Sequence, residues 1–215
     1  MRAHIFDMDG TLLRGTTASL LIARILDREA DLRWLETSYA AGTHSTVAFA
    51  EALHGMWGVP PVETIRTAFF AAPLLKNVGD VLSDIHARGE RACLITLSPD
   101  YFAEHFLSYG FDAVYASRFP REALTPFDPT GILSFDDKPR LAGEFCAEYG
   151  LQLEQAVAYG DSMSDVPLFE RVGYRISING DHHIREKCDV EIQTDDLWDA
   201  YSVARRHIDE ASPDF

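Results

Sequence analysis

The chain has 215 residues, 47% hydrophobic and 25% charged, and a formal net charge of −15 at pH 7. That length suits one core domain with an insertion, or two small domains, with a sizeable core in either case. The acidic balance argues against nucleic acid or an anionic membrane as a partner, and no apolar run approaches the ~18 residues of a membrane span.

The first strand is read over Ala3–Phe6, too near the start to leave room for a signal peptide of ~15–30 residues. Residues 17–72 are helical in pattern. One helix runs from Ala18 to Leu26 with Thr17 as its cap, another from Thr46 to His54, and a third from Val62 to Ala71 between Pro60-Pro61 and Pro73. This block is too long for a simple crossover and reads as an inserted helical subdomain covering 15–75, with 1–14 and 76–215 forming the core. Its aromatic residues Trp34, Tyr39, Phe49, Trp57, Phe69 and Phe70 are expected mostly in its core. A helix over Val78–Arg88 closes at Gly89, a strand follows over 91–96, and a helix over Pro99–Tyr109 leads to a short strand at Ala113–Ala116. Residues 117–135 read as a hairpin excursion around Ile132. Then come a helix over Pro139–Tyr149, a strand over 156–159, a helix over Val166–Val172, strands at Tyr174–Ile178 and Val190–Ile192, and a last helix over Leu197–Ile208 before a loose tail from Asp209 to Phe215. Strands alternating with helices imply an α/β fold, a mostly parallel sheet with helices on both faces. Cys93, Cys146 and Cys188 lack ligand-like spacing and read as reduced thiols of a cytoplasmic protein.

The chemistry gathers at strand ends. Asp7 and Asp9 follow the first strand, where open α/β sheets place their ligands. Two carboxylates so close repel unless a cation or a shared proton offsets them; the other reading is a turn with one Asp capping a helix and the other solvated. Asp161 and Asp165 follow a second apolar strand and Gly160, and an oxygen-rich set of this kind suits Mg²⁺. Thr96 ends a third strand, as a hydroxyl donor or simply a β-branched strand residue. Lys138 precedes a helix, as a site cation or as a surface partner of Asp136 or Asp137. Asp165 either supports the metal site or caps the helix that begins at Val166. His182-His183 suggest a metal site, but neighbouring residues on a strand or helix face apart, and a polar loop after Asn179-Gly180 is the simpler reading.

In order, Asp7-x-Asp9-x-Thr11, Thr96, Lys138 and Gly160-Asp161-Ser162-x-x-Asp165 resemble the four motifs of the haloacid dehalogenase superfamily. The resemblance covers nearly the whole chain and implies a Rossmann-like core with a helical C1 cap. It also implies a Mg²⁺-dependent phosphatase acting on a small phosphate ester. In that reading Asp7 is the nucleophile and Asp9 the general acid/base, with only its backbone carbonyl on the metal. Asp161 is the remaining direct ligand and Asp165 holds a metal-bound water. Thr96 and Lys138 contact the phosphoryl group, and backbone N–H groups at Met8, Asp9, Leu97 and Ser98 complete its cradle.

The C1 cap and the Thr96-Leu97-Ser98-Pro99 segment look most like the phosphoserine phosphatase branch. That branch binds its amino acid through a cap Glu and a cap Arg, whose places fall on Thr16 and near Met56 here. Neither supplies the charge, so the resemblance implies a neutral or hydroxylated ester rather than phosphoserine, with Thr16, Met56 and Ser98 lining the pocket. Arg14 and Arg24 are further candidate anion contacts. A phosphotransferase or mutase on the same motifs, and a non-catalytic phospho-ligand binder, are the alternatives. The sequence leaves the oligomeric state open.

Overall fold

The computed structural model describes residues 1–40 and 44–211. Six parallel strands form one sheet in the order β3-β2-β1-β4-β5-β6: β1 is Ala3–Phe6, β2 Arg91–Pro99, β3 Ala113–Ser117, β4 Ala156–Gly160, β5 Tyr174–Ile178 and β6 Val190–Ile192. β1 lies at the centre, Phe6 beside Leu94 of β2 on one side and Tyr159 of β4 on the other. All four of its residues are buried, as a parallel strand covered on both faces requires. Strand order reverses between β1 and β4, and the crevice outside the carboxyl ends of such strands is where an open α/β sheet binds ligands.

Because side chains alternate across a strand, each face builds its own core. Phe6, Leu94, Tyr159 and Ile176 pack with α5 (Val78–Ala87) and α9 (Leu197–Ala211). Ile5, Cys93, Ile95 and Ala158 pack with α7 (Asp137–Glu148) and α8 (Val166–Phe169). Cys93 and Cys146 are buried and unbridged, and burial raises both thiols, Cys146 to about 11.

Between β1 and α5 stand four described helices: α1 (Ala18–Ile25), α2 (Glu29–Ala40), α3 (Thr46–Trp57) and α4 (Val62–Phe70). The Thr17 hydroxyl caps α1 by accepting from Leu20 N, and Ser45 caps α3 by accepting from Ala48 N. α2 was not separately expected: Leu32 and Leu35 are its most buried apolar residues, a weak periodic signal, while Glu29 and Asp31 favour its N-terminus. Phe69 of α4 packs edge-on to Phe102 and Phe106, so these helices share a continuous core with the sheet. Trp34 and Phe70 are corrected to the surface. Trp34 precedes the buried Leu35 and Phe70 follows the buried Phe69, each a ~100° turn of helix away from the core stripe.

Other differences are local. β2 runs to Pro99, with a register irregularity against β3 between Ile95 and Pro99, and so carries Thr96–Ser98 past the sheet. The helix expected over 99–109 divides into α6 (Asp100–Ala103) and a 3₁₀ segment, Glu104–Tyr109. The hairpin expected within 117–135 is absent. A 3₁₀ turn at Pro129–Gly131 stands there, held by Arg118 N donating to Gly131 O at 2.9 Å and Leu133 N to Ser117 Oγ at 3.1 Å. Pro120, Pro126 and Pro129 remove the donors a ladder needs. α9 continues through Ala211, so 209–211 are helix rather than tail; the remaining tail, 212–215, lies outside the described residues. No described helix is long and apolar enough to cross a membrane.

Candidate active site at the strand ends

Asp7 continues β1 by donating its N–H to Tyr159 O at 2.9 Å, which holds it beside β4. The chain then turns at Gly10, whose φ is +81°. A side chain there is doubly excluded: the backbone is left-handed, and a Cβ would lie 2.0 Å from Asp161 Oδ2. Gly160 is constrained by contact alone, since its Cβ would meet Asp165 Cγ at 2.4 Å. These two glycines let the loops after β1 and β4 close on one another. Buried Thr11 reaches across, its hydroxyl 3.4 Å from Asp161 Oδ1.

Lys138, at the start of α7, is 1% exposed and joins the two loops. Its Nζ donates to Asp7 Oδ1 at 2.7 Å, Asp165 Oδ1 at 2.6 Å and Ser164 Oγ at 3.2 Å. The surface alternative for this lysine is excluded. Asp165 does not cap α8 with its side chain either; it closes the 3₁₀ turn Met163–Asp165 in a capping box with Ser162. Its Oδ2 accepts from Asp161 N at 3.0 Å and Ser162 N at 3.3 Å.

Asp9 faces a different set of partners. Its Oδ1 accepts from Ala18 N, the first residue of α1, at 2.7 Å, and its Oδ2 accepts a short bond from the Ser98 hydroxyl. Ser98 N in turn donates to Thr96 Oγ1 at 3.2 Å, which leaves the buried Thr96 hydroxyl proton free to donate elsewhere. Loop 7–11, α1 and the end of β2 therefore meet at Asp9.

The site is short of positive charge. Asp7, Asp9, Asp161 and Asp165 face a single ammonium, a balance of 1 − 4 = −3 were all ionised. Burial pushes Asp7 up to about 7 against the pull of Lys138, with Asp165 adding to the rise. Burial pushes Asp9 up to about 6, opposed first by the Ser98 bond and then by Ala18 N–H. Burial and then the Asp7 and Asp165 charges hold Asp161 well above the usual carboxylate range. Lys138 moves upward despite burial, because Asp165 and Asp7 stabilise its charge. One carboxylate oxygen each from Asp7, Asp161 and Asp165 lies within 4.8 Å of the other two. An all-oxygen donor set with surplus negative charge fits a hard divalent cation such as Mg²⁺.

The remaining expected residues scatter. Met8 is fully buried in the core, so it offers the site only its backbone. Thr16 is buried with its hydroxyl unpartnered, and its carbonyl accepts from Gly10 N at 3.2 Å. Met56 lines a groove with Ala30, Asp31, Trp34, Leu35 and Ala52, apart from the aspartates. Arg14 and Arg24 are exposed and pair with Asp195 and Glu29. Glu36 carries no sequence expectation, and Tyr39 is expected only among the core aromatics of the helical block. Glu36 accepts from the Thr17 hydroxyl at 3.2 Å and raises Asp9 electrostatically, while half-buried Tyr39 feels the Lys138 charge. Leu32, Glu36 and Tyr39 fall at i, i+4, i+7 on α2; a carboxylate interrupting an apolar stripe was the available signal.

Comparison with known proteins agrees with this architecture. The chain is 22% identical over 207 residues to a phosphoserine phosphatase of Archaeoglobus fulgidus, covering 95% of this chain and 60% of that one. It is 21% identical over 196 residues to a phosphoserine phosphatase of Methanocaldococcus jannaschii, covering 90% and 92%. The chain thus spans less than two thirds of the Archaeoglobus protein but most of the Methanocaldococcus one. A phosphoserine phosphatase solved as a phospho-aspartyl intermediate analogue superposes with a TM-score of 0.79 at 20% identity, covering 94% of this chain and 98% of that one. Residues 5–170 match the profile of the haloacid dehalogenase-like hydrolases, and the chain belongs to that family.

Proposed function

We propose that this chain is a phosphomonoesterase that hydrolyses a small phosphate ester through an aspartyl-phosphate on Asp7. The observation that carries the reading is the division of labour between the two aspartates. Asp7 is held by Lys138 inside the acidic cluster, while Asp9 is turned to Ser98 and Ala18 N–H, outside it. The family match and the phosphoserine phosphatase relatives support it.

In the first step an Asp7 carboxylate oxygen attacks phosphorus and the bond to the ester oxygen breaks. Asp9, raised to about 6, gives its proton to the departing alkoxide. In the second step Asp9 takes a proton from water, the hydroxide attacks phosphorus, and the carboxylate of Asp7 is released with inorganic phosphate. Lys138 neutralises charge on Asp7 and the phosphoryl oxygens, and the Thr96 hydroxyl donates to one of them. Asp7, Asp161 and the Asp9 backbone carbonyl would hold Mg²⁺, with Asp165 in support. Bound there, the ion supplies the charge that offsets repulsion between a carboxylate and a phosphate.

Residues 15–75 act in this reading as a cap over the site. Glu36 and Tyr39, both half-buried on α2 with Glu36 accepting from the Thr17 hydroxyl at 3.2 Å, are the cap side chains proposed to address the substrate. The place expected for a cap cation falls on Met56, uncharged and in a separate groove, which favours a hydroxylated ester over phosphoserine even with the Glu36 carboxylate in the cap. The test is phosphate release from a panel of small esters, phosphoserine included, with Mg²⁺ and with EDTA, against an Asp7→Asn control. Mg²⁺-dependent release that vanishes in the variant supports the mechanism. Phosphoserine as the best substrate removes the substrate assignment, and release that survives Asp7→Asn removes the mechanism.

A further inference from the structure

The turn after β5 carries Asp181, His182 and His183 outside the Asp7 cluster, all three exposed. Neighbouring side chains diverge on a strand or a helix, but this segment is neither. Its two imidazoles lie over one another, ring centroids 3.8 Å apart and planes at 39°. One ligand atom from each of the three residues lies within 4.8 Å of those of the other two. His183 Nδ1 is hydrogen-bonded to Asp181 Oδ2 at 3.1 Å, a contact that an ion would replace at a separation close to the edge of about 3.4 Å that a tetrahedron with ~2.1 Å metal–ligand bonds requires.

The backbone beneath these donors is already in place. Asp181 N donates to Asp161 O at 2.8 Å, and His183 N donates to Asp181 Oδ1 at 2.8 Å. A Cβ at Gly180 would sit 2.0 Å from Ser177 Oγ, so the turn packs directly on β5. Asn179, at φ +53°, ties the turn to Thr194 through two bonds of 2.9 Å, and Ile184 anchors its far side in the core. The following cations are engaged elsewhere, Arg185 with Glu191 and Lys187 with Glu170. An ion arriving here meets a pre-organised frame, and ordering the loop costs little.

We infer that Asp181, His182 and His183 form a second metal site for a borderline transition-metal ion of the Zn²⁺ or Ni²⁺ type, with water completing its coordination. Two imidazole nitrogens and one carboxylate suit those ions, whereas the all-oxygen cluster around Asp7 suits Mg²⁺. The two sites therefore separate by chemistry, although the Asp181 N–H bond to the Asp161 carbonyl joins their backbones. The inference stands independently of the phosphatase reading.

Calorimetric titration of the tag-free full chain with Ni²⁺, in excess Mg²⁺, tests it. One equivalent should bind in the micromolar range. His182→Ala/His183→Ala should weaken binding at least about 100-fold, the loss expected when two of three protein ligands go, and leave the melting temperature unchanged. Asp161→Asn should keep the Ni²⁺ site. The inference is overturned if the wild-type chain binds no Ni²⁺ below the millimolar range. It is equally overturned if the double variant binds as tightly, or if Asp161→Asn alone abolishes binding.

Discussion

Two buried charged networks flank β1, and they are built to opposite rules. Behind the strand, His4 is fully buried between Tyr159 OH and Glu90, each at 3.0 Å, and Glu90 also accepts from Arg205 at 2.6 Å. Burial holds His4 below its ordinary value, so it is neutral, and the buried Glu90 carboxylate meets the Arg205 guanidinium, which also pairs with exposed Asp209 at 2.7 Å. At the strand's carboxyl end four aspartates gather where one lysine pairs with two of them, Asp7 and Asp165, and burial drives Asp7, Asp9 and Asp161 up. The first network gives its buried carboxylate a guanidinium partner from within the fold and links α9 to β1 and the start of β2. The second carries a deficit that protons or a bound cation must offset. A surplus of like charge that the fold itself leaves uncompensated marks function, and burial of charge alone does not.

The contrast breaks most visibly at Asp7. Asp7→Asn should reduce phosphate release by about 10⁴-fold or more, the scale at which loss of a covalent nucleophile is felt. The same change removes a carboxylate whose burial is unfavourable, so in EDTA at pH 8 the variant should melt higher than wild type. A lower melting point would mean Asp7 is a net stabiliser and the deficit is not real. Lys138→Met should do the reverse. It leaves Asp7 and Asp165 without their cation, at about 3–5 kcal/mol, or roughly 6–20 °C for a chain of this size. Glu90→Gln in the balanced network should cost about 1–3 kcal/mol by unpairing His4 and Arg205. It should leave kcat and KM unchanged, and a kinetic effect would refute the division between the two networks.

The pH dependences should carry opposite signs. Asp7 has a folded value near 7, above its unfolded value. Its contribution is fully present below the unfolded value, about 3.9, and is lost as pH rises through 7. His4 has a lowered folded value, so its contribution is present above the ordinary histidine range, about 6.5, and is lost as pH falls through and below it. In EDTA, the melting temperature of Asp7→Asn relative to wild type should grow from pH 5 to pH 8. Added Mg²⁺ should shrink that difference, because an ion bound to the folded form restores wild-type stability. A difference that ignores both pH and Mg²⁺ would leave the raised Asp7 without support.

Much of this molecule is legible in its sequence, for identifiable physical reasons. β1 and β4 read clearly because buried parallel strands are short apolar runs ended by a glycine turn. The four motif elements read because Gly10 and Gly160 admit no side chain where the acidic loops meet. Lys138 could not be assigned alone, since only the tertiary fold distinguishes a surface pair with Asp137 from a buried bridge between two loops. Residues 117–135 misled because turn residues around Ile132 signal a change of direction without specifying a ladder, and three prolines prevent one. Glu36 goes unread, and Tyr39 reads only as a core aromatic, because α2 shows weak periodicity, so the face it presents emerges only from packing.

The finest test concerns Asp9, where the balance rests on one hydroxyl. Burial raises Asp9, and the Ser98 bond is the largest influence holding it down to about 6. Ser98→Ala removes that bond and leaves the Ala18 N–H in place. A neutral donor is worth about 1 kcal/mol, equivalent to about 0.7 pH unit, so the limb of kcat/KM governed by Asp9 should move to higher pH by roughly that amount. Activity at the optimum should fall only a few-fold, and Ser98→Thr, which keeps a hydroxyl, should restore the profile. If Ser98→Ala lowers activity with the limb unmoved, Ser98 acts on the substrate and Asp9 is not the group that titrates. A limb that moves and returns with threonine makes Ser98 a positioning residue, which keeps the acid/base carboxylate poised near neutrality while the neighbouring nucleophile faces the cation.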